Sequence, residues 1–175
     1  MNRVPAQRYA TAIERAYSYL PQPLRTRLAH VDFLCGVGAP FAGFGNWSNP
    51  DLAAVGLSYA DCAYYIDLES GARITRARRR PTVCLPRPHM AIPAVIIHEL
   101  GHALHDQLDH QPEVQPVTQY ARTNSHEAFA EAFTAWVAAS GPVDDSFDGW
   151  LRQDIPQDLR VLAPGAYEMF DRLAL

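Results

Sequence analysis

Pro93-Ala-Val-Ile-Ile-His98-Glu99-Leu-Gly-His102-Ala-Leu-His105 is the stretch on which the fold turns. It sets His-x-x-x-His, with glutamate directly after the first histidine, inside an apolar run. On a helix this pattern presents two imidazoles to one zinc ion, with the glutamate as general base. Four residues of helix place His98 and His102 on one face, about 6 Å apart along the axis. Glu99 lies about 100° round from His98 and about 60° from His102. It can therefore lean over a metal-activated water without being a ligand. A catalytic zinc takes three protein ligands and keeps one position open, so a third donor has to come from elsewhere.

The surrounding residues predict a helix from Pro93 to about Asp106. Pro93 sits where a first-turn proline is tolerated. Val95, Ile96, Ile97, Leu100, Ala103 and Leu104 make the helix apolar on most sides, the mark of a buried one. Gly101 costs about 1 kcal/mol of helix propensity against alanine. Within a buried helix it signals the close approach of another backbone.

Several residues compete for the third donor position. His105 lies seven residues from His98, about 10 Å along a straight helix, too far to share one metal. The extended metzincin pattern fails as well, because Leu108 stands where its third histidine would be. His110 sits among loop residues. Glu127 and Glu131 stand four apart on the helical pattern Glu127-Ala-Phe-Ala-Glu131-Ala-Phe-Thr-Ala-Trp136-Val137, which Gly141-Pro142 ends. Carboxylates are almost never fully buried without a partner, and a metal or a metal-bound histidine would be one. Against this, Asn124-Ser-His-Glu127 has the spacing of a helix cap and its third residue, and Glu131 can be read as a solvated side chain. Spacing leaves these readings even and does not say which glutamate is the ligand.

Upstream, residues 6–20 predict a helix with Tyr9, Ile13, Ala16, Tyr17 and Leu20 at helical spacing. A short helix at 24–29 follows Pro21 and Pro23. Residues 31–35 read as a strand and the glycine-rich 36–45 as a loop with aromatic anchors, since no phosphate-binding fingerprint accompanies the glycines. Residues 53–59 and 63–68 read as a strand pair and Thr82–Leu85 as a further strand. If 63–68 is the sheet edge, Tyr64 and Tyr65 flank a cleft where extended peptide adds as a strand. Arg73, Arg76, Arg78, Arg79 and Arg80 read as a solvated loop, the alternative being a contact for an acidic partner. Residues 109–122 form a polar connection, and 166–173 a closing helix. His30, His89 and His126 read as surface or capping residues, with His126 turned about 100° from Glu127. Trp47, Trp136 and Trp150 read as core or rim.

The chain has 175 residues, 48% hydrophobic and 19% charged, with a formal charge of −4. That fits a single globular domain with a sizeable core, and the charge makes no general case for nucleic-acid binding. Cys35, Cys62 and Cys84 form no C-x-x-C pair and no disulfide framework, and an odd count favours a reducing compartment. No apolar run spans a bilayer, and the amino terminus lacks a secretory h-region. The expectation is a cytoplasmic protein, or one delivered without a classical signal peptide. Oligomeric state is not readable.

His-Glu-x-x-His followed on a later helix by Glu-x-x-x-Glu resembles the gluzincin peptidases. The segment Tyr120-Ala-Arg-Thr-Asn-Ser-His-Glu127-Ala-Phe-Ala-Glu131-Ala-Phe is more specifically similar to the anthrax lethal factor-like metallopeptidases, including the Pro-Pro endopeptidases. In that pattern a tyrosine precedes the glutamate ligand by seven residues. The resemblance covers roughly residues 95–137, with an echo in the Ala163-Pro-Gly-Ala-Tyr-Glu-Met-Phe tail. The interval between the two motifs is shorter than in lethal factor, so cleavage preference is not carried over.

The resemblance implies an α+β zincin-like fold. A mixed upper lobe (about 1–108) would carry the active-site helix, and a mainly helical lower lobe (about 109–175) would complete the cleft. It implies one Zn²⁺ held by His98, His102 and Glu127, with Glu131 accepting from a ligand histidine. It also implies Glu99 as general base and Tyr120 as hydrogen-bond donor to the oxyanion. The expected activity is hydrolysis of a peptide or protein substrate by a zinc endopeptidase. The rivals are a zinc-binding interaction module without turnover, a latent protease blocked by its amino-terminal arm or glycine-rich loop, and a regulatory protease that cleaves one repressor.

Overall fold

The structure, a computed structural model, describes residues 3–36, 42–45, 62–66, 73–74, 82–108, 113–151 and 163–175. The strand expected at 53–59, Trp47, His110 and all the clustered arginines but Arg73 lie outside the described residues, as do the side chains of Arg73, Tyr64, Tyr65 and Trp150.

Two helices open the chain, α1 (Arg3–Ser18) and α2 (Gln22–Leu28). The strands β1 (Asp32–Gly36), β2 (Gly43–Gly45), β3 (Cys62–Ile66), β4 (Arg73–Ile74) and β5 (Thr82–Leu85) form a mixed sheet in the order β2-β5-β1-β3-β4. The helix α3 (Pro93–Asp106) follows, then a 3₁₀ turn (Tyr120–Thr123), α4 (Ser125–Ser140), α5 (Ser146–Leu151) and α6 (Pro164–Leu173). The fold class is α+β.

Two expectations about the sheet change. The glycine-rich segment ends in a strand, because Gly43 to Gly45 pair antiparallel with β5, Phe44 opposite Val83. And β3 is interior, paired with β1 on one side and β4 on the other, so it is not the edge. Among the described residues the edge strands are β2 and β4.

The core explains why α3 sits where it does. Ile96, Ile97, Leu100 and Leu104 are wholly buried, in a cluster running from Tyr9 and Ile13 of α1, through Phe33 and Val83 of the sheet, to Phe129, Phe133 and Phe170. Each such side chain contributes about 1.5–3 kcal/mol by leaving water. Buried tyrosines tie the layers together, Tyr9 donating to the Pro86 carbonyl at 2.7 Å and Tyr17 to that of Leu28 at 2.9 Å. At the amino end of α3 no side chain of the preceding Ile92 caps the helix. Instead the Ala94 N–H donates to Ser146 Oγ of α5 at 3.3 Å. Ser146 bonds in turn to Asp144, which pairs with Arg15 of α1 at 3.0 Å.

Gly101 is where α3 meets α4. A Cβ there would stand 2.9 Å from the Ala130 Cα and 3.2 Å from Phe133. The missing side chain lets the two backbones come together, as the glycine in a buried helix predicted. Trp136 is core, 2% exposed, and donates to Asp171 Oδ1 of α6 at 2.9 Å. Among the described residues no helix is long and apolar enough to cross a membrane.

Candidate metal centre

His98 and His102 project from one face of α3 with their rings nearly perpendicular and their centroids 4.9 Å apart. Their Nε2 atoms are 3.2 Å apart. Glu127 comes from the first turn of α4, its Oε2 lying 3.1 Å from His98 Nε2 and 3.4 Å from His102 Nε2. Three donors bonded at about 2.0–2.1 Å to a tetrahedral zinc would stand about 3.3 Å from one another. The side chains thus converge with the spacing a single ion requires. Among the described residues these three are the one group of ligating side chains whose donor atoms all lie within 4.8 Å of one another.

The residues around this triangle fit a metal as well. His98 Nδ1 lies 3.0 Å from Glu131 Oε1, which leaves Nε2 directed at the common point. Glu131 is 3% exposed, so its reading as a solvated side chain fails. Glu127 keeps its helix-start role too, since Asn124 Oδ1 accepts from the Glu127 N–H at 2.9 Å. The cap uses its backbone and the triangle its carboxylate, so the two readings coexist. Glu99 is 6% exposed and lines the site, and its buried Oε2 has no hydrogen-bond partner among the described residues. A buried carboxylate oxygen without a partner is costly, so this oxygen calls for a donor beyond those the described residues supply.

The electrostatics follow from burial and proximity. Burial opposes a charge on His98, yet its bonds to Glu127 and Glu131 and the field of Glu99 lift it to about 9. Burial also disfavours ionised Glu127, but the two histidines hold it far below the usual carboxylate range. Without a metal, a proton on His98 takes the place of a cation among carboxylates. Burial pushes Glu99 up, offset in part by His98 and His102.

Tyr120 stands at the start of the 3₁₀ turn, its ring centroid 6.1 Å from that of His98. Burial and the fields of Glu127, Glu99 and Glu131 push its phenol up, so it holds its proton at neutral pH. At 55% exposed it is not a core residue.

His98, Glu99, His102, Tyr120 and Glu127 line a cleft of about 490 Å³, whose wall also includes Ala42 to Phe44, Asp106, Asn124 and His126. Sequence reasoning passed over several of these. Asp106 follows His102 by four residues, so helical spacing carried a signal for it. His126 is exposed as expected, but it lines the cleft and its ring centroid is 5.0 Å from that of His105. The packing of α3 on α4 brings His126 and Glu127 to one opening. Phe44 belongs to the glycine-rich segment read as a loop with aromatic anchors, and its place in the cleft wall depends on pairing with β5. His105 does not join the donors; it stacks on Phe129 with centroids 4.4 Å apart.

Compared with protein-family models, with curated proteins and with solved structures, the chain shows no match.

Proposed function

We propose that this chain is a zinc-dependent endopeptidase of the gluzincin type, resembling the lethal factor-like metallopeptidases. The observation that carries the reading is the convergence of His98, His102 and Glu127 at 3.1–3.4 Å beside Glu99, whose buried Oε2 has no partner among the described residues. In that reading the sheet with α3 is the upper lobe of a zincin-like fold, and α4 to α6 are the lower lobe.

His98, His102 and Glu127 would hold the ion. A bound Zn²⁺ lowers the pKa of a water and polarises the scissile carbonyl. The chain's own residues do the rest. Glu99 takes the proton of the attacking water and delivers it to the leaving amine; burial raises its pKa, in the direction a general base needs. Tyr120 donates its phenol proton in a hydrogen bond to the oxyanion as the carbonyl carbon becomes tetrahedral. Glu131 accepts from His98 Nδ1, fixing the tautomer that leaves Nε2 free to ligate. The substrate backbone pairs by strand addition with β2, which lines the cleft and is an edge strand among the described residues. That role moves from β3, where the sequence suggested it, to β2.

The test is metal content together with turnover. The purified protein should bind one zinc, and wild type should cleave members of a diverse peptide library while Glu99→Gln keeps its zinc and cleaves none. Cleavage that survives Glu99→Gln would sink the mechanism. Stoichiometric zinc with no cleavage by wild type would favour a metal-binding module without turnover.

A further inference from the structure

A second cavity, of about 470 Å³, opens where the turn after α1, the carboxyl end of α4 and α6 meet. Its volume is that of a small-molecule site. It shares no lining residue with the metal cleft. Trp136 on its wall lies nine residues beyond Glu127, about 14 Å along the axis of α4.

The wall brings together three features that favour a positive charge. Asp171 supplies an exposed carboxylate, and its Oδ1 accepts from the indole of the buried Trp136 at 2.9 Å, which holds the group in place through one oxygen. Ala139 and Ser140 belong to the carboxyl end of α4, where the helix dipole favours a cation. The last turn of α4 has no basic residue to supply one. Tyr19 and Tyr167, both half-buried, line the cavity as well, and aromatic rings attract cations to their faces. Among the described lining residues there is no lysine, arginine or histidine. Arg15 reaches the Tyr19 hydroxyl at 2.9 Å, but it pairs with Asp144 at 3.0 Å and is not part of the wall.

We propose that this cavity is a binding site for a small organic ammonium ion. The mixed wall selects that class. A metal ion needs several converging donor atoms, and among the described residues His98, His102 and Glu127 form the one such group. An anion would be repelled by Asp171, and a neutral ligand would make no use of it. An ammonium carrying methyl groups answers both the carboxylate and the rings. The site stands whether or not the chain cleaves peptides, because it shares nothing with the cleft.

The experiment titrates the ¹⁵N-labelled protein with choline and with 3,3-dimethylbutan-1-ol, which has the same shape without the charge. The readout is the indole N–H signal of Trp136, which donates to Asp171 and so reports on this cavity and not on the cleft. Choline should move that signal saturably, and the neutral analogue should bind about fivefold more weakly. Asp171→Asn keeps an acceptor oxygen for the indole but drops the charge. It should weaken choline about threefold, the scale of a screened, exposed pair. Ala139→Lys, at an exposed position on the wall, sets a tethered ammonium there and should abolish the response. No saturable shift, equal affinity for choline and the alcohol, or wild-type affinity in either variant overturns the inference.

Discussion

Nδ1 of His98 lies 3.0 Å from Oε1 of Glu131, with both side chains almost wholly buried. The other ring nitrogen of His98 is thereby committed to the point it shares with His102 and Glu127. A carboxylate behind a ligand histidine raises its basicity, and loss of such a partner typically weakens metal binding about 10- to 100-fold. Glu131→Ala should show a loss of that size in competition with a chromophoric chelator. Glu131→Gln keeps an acceptor oxygen and should lose less. Equal affinity of Glu131→Ala and wild type would remove this role.

How far the site was legible follows from where its parts come from. The bounds of α3 fell where Pro93 and the apolar run put them, and Thr82–Leu85 is a strand as read. Local pattern decides such elements. The third donor was not legible from spacing, because Glu127 reaches His98 only through the contact of α3 with α4. The clue to that contact was Gly101, whose lack of a side chain the packing requires. Two roles that looked like alternatives for Glu127 turned out compatible, since one uses its N–H and the other its carboxylate. The edge strand was misplaced because β2 is three residues long, two of them glycine, and owes its existence to pairing with distant β5. The six-residue α5 is too short to show a period, so its Ser146 contact to α3 was invisible.

Gly101→Ala tests the helix contact directly. Alanine would gain about 1 kcal/mol of helix propensity, but its Cβ would stand 2.9 Å from the Ala130 Cα, a backbone atom that cannot rotate away. Overpacking of this kind typically costs about 1–3 kcal/mol, so the balance is destabilising. A lower Tm with weaker zinc binding is expected, because moving α4 separates Glu127 from the histidines. An unchanged Tm would mean the helices part without cost.

Zinc binding should release protons at neutral pH. In the metal-free chain His98 is held at about 9, so at pH 7 it carries a proton that a metal must displace. Calorimetry in two buffers of different ionisation enthalpy should report about one proton released per zinc. Apparent affinity should climb with pH through the neutral range and level off above about 9. Binding without proton release would mean that His98 is not a ligand.

Tyr120→Phe removes one hydroxyl from an exposed ring at the cleft. If that hydroxyl steadies the oxyanion, kcat should fall by about 100-fold or more, as for other single oxyanion donors. Zinc content should stay at wild-type level. Equal turnover of the two proteins would leave Tyr120 as a lining residue only.

His105 makes the fold sensitive to acid. It is 1% exposed, stacked on Phe129, and among the described residues neither ring nitrogen has a hydrogen-bond partner. Burial first, then the fields of His126 and His102, lower its pKa from 6.5 to about 4. The unfolded chain therefore binds a proton between these values that the folded chain refuses. Its contribution to stability is complete above pH 6.5 and is lost as pH falls towards about 4. Denaturant titrations of the metal-free protein should show this decline, and His105→Leu, similar in volume and unable to titrate, should flatten it. Metal-free protein removes any contribution from zinc release, and His98 acts on the alkaline side because its pKa is raised. The acid loss from the depressed Glu127 carboxylate sets in only below the ordinary carboxylate range. The same acid slope in wild type and His105→Leu would place the titrating group elsewhere.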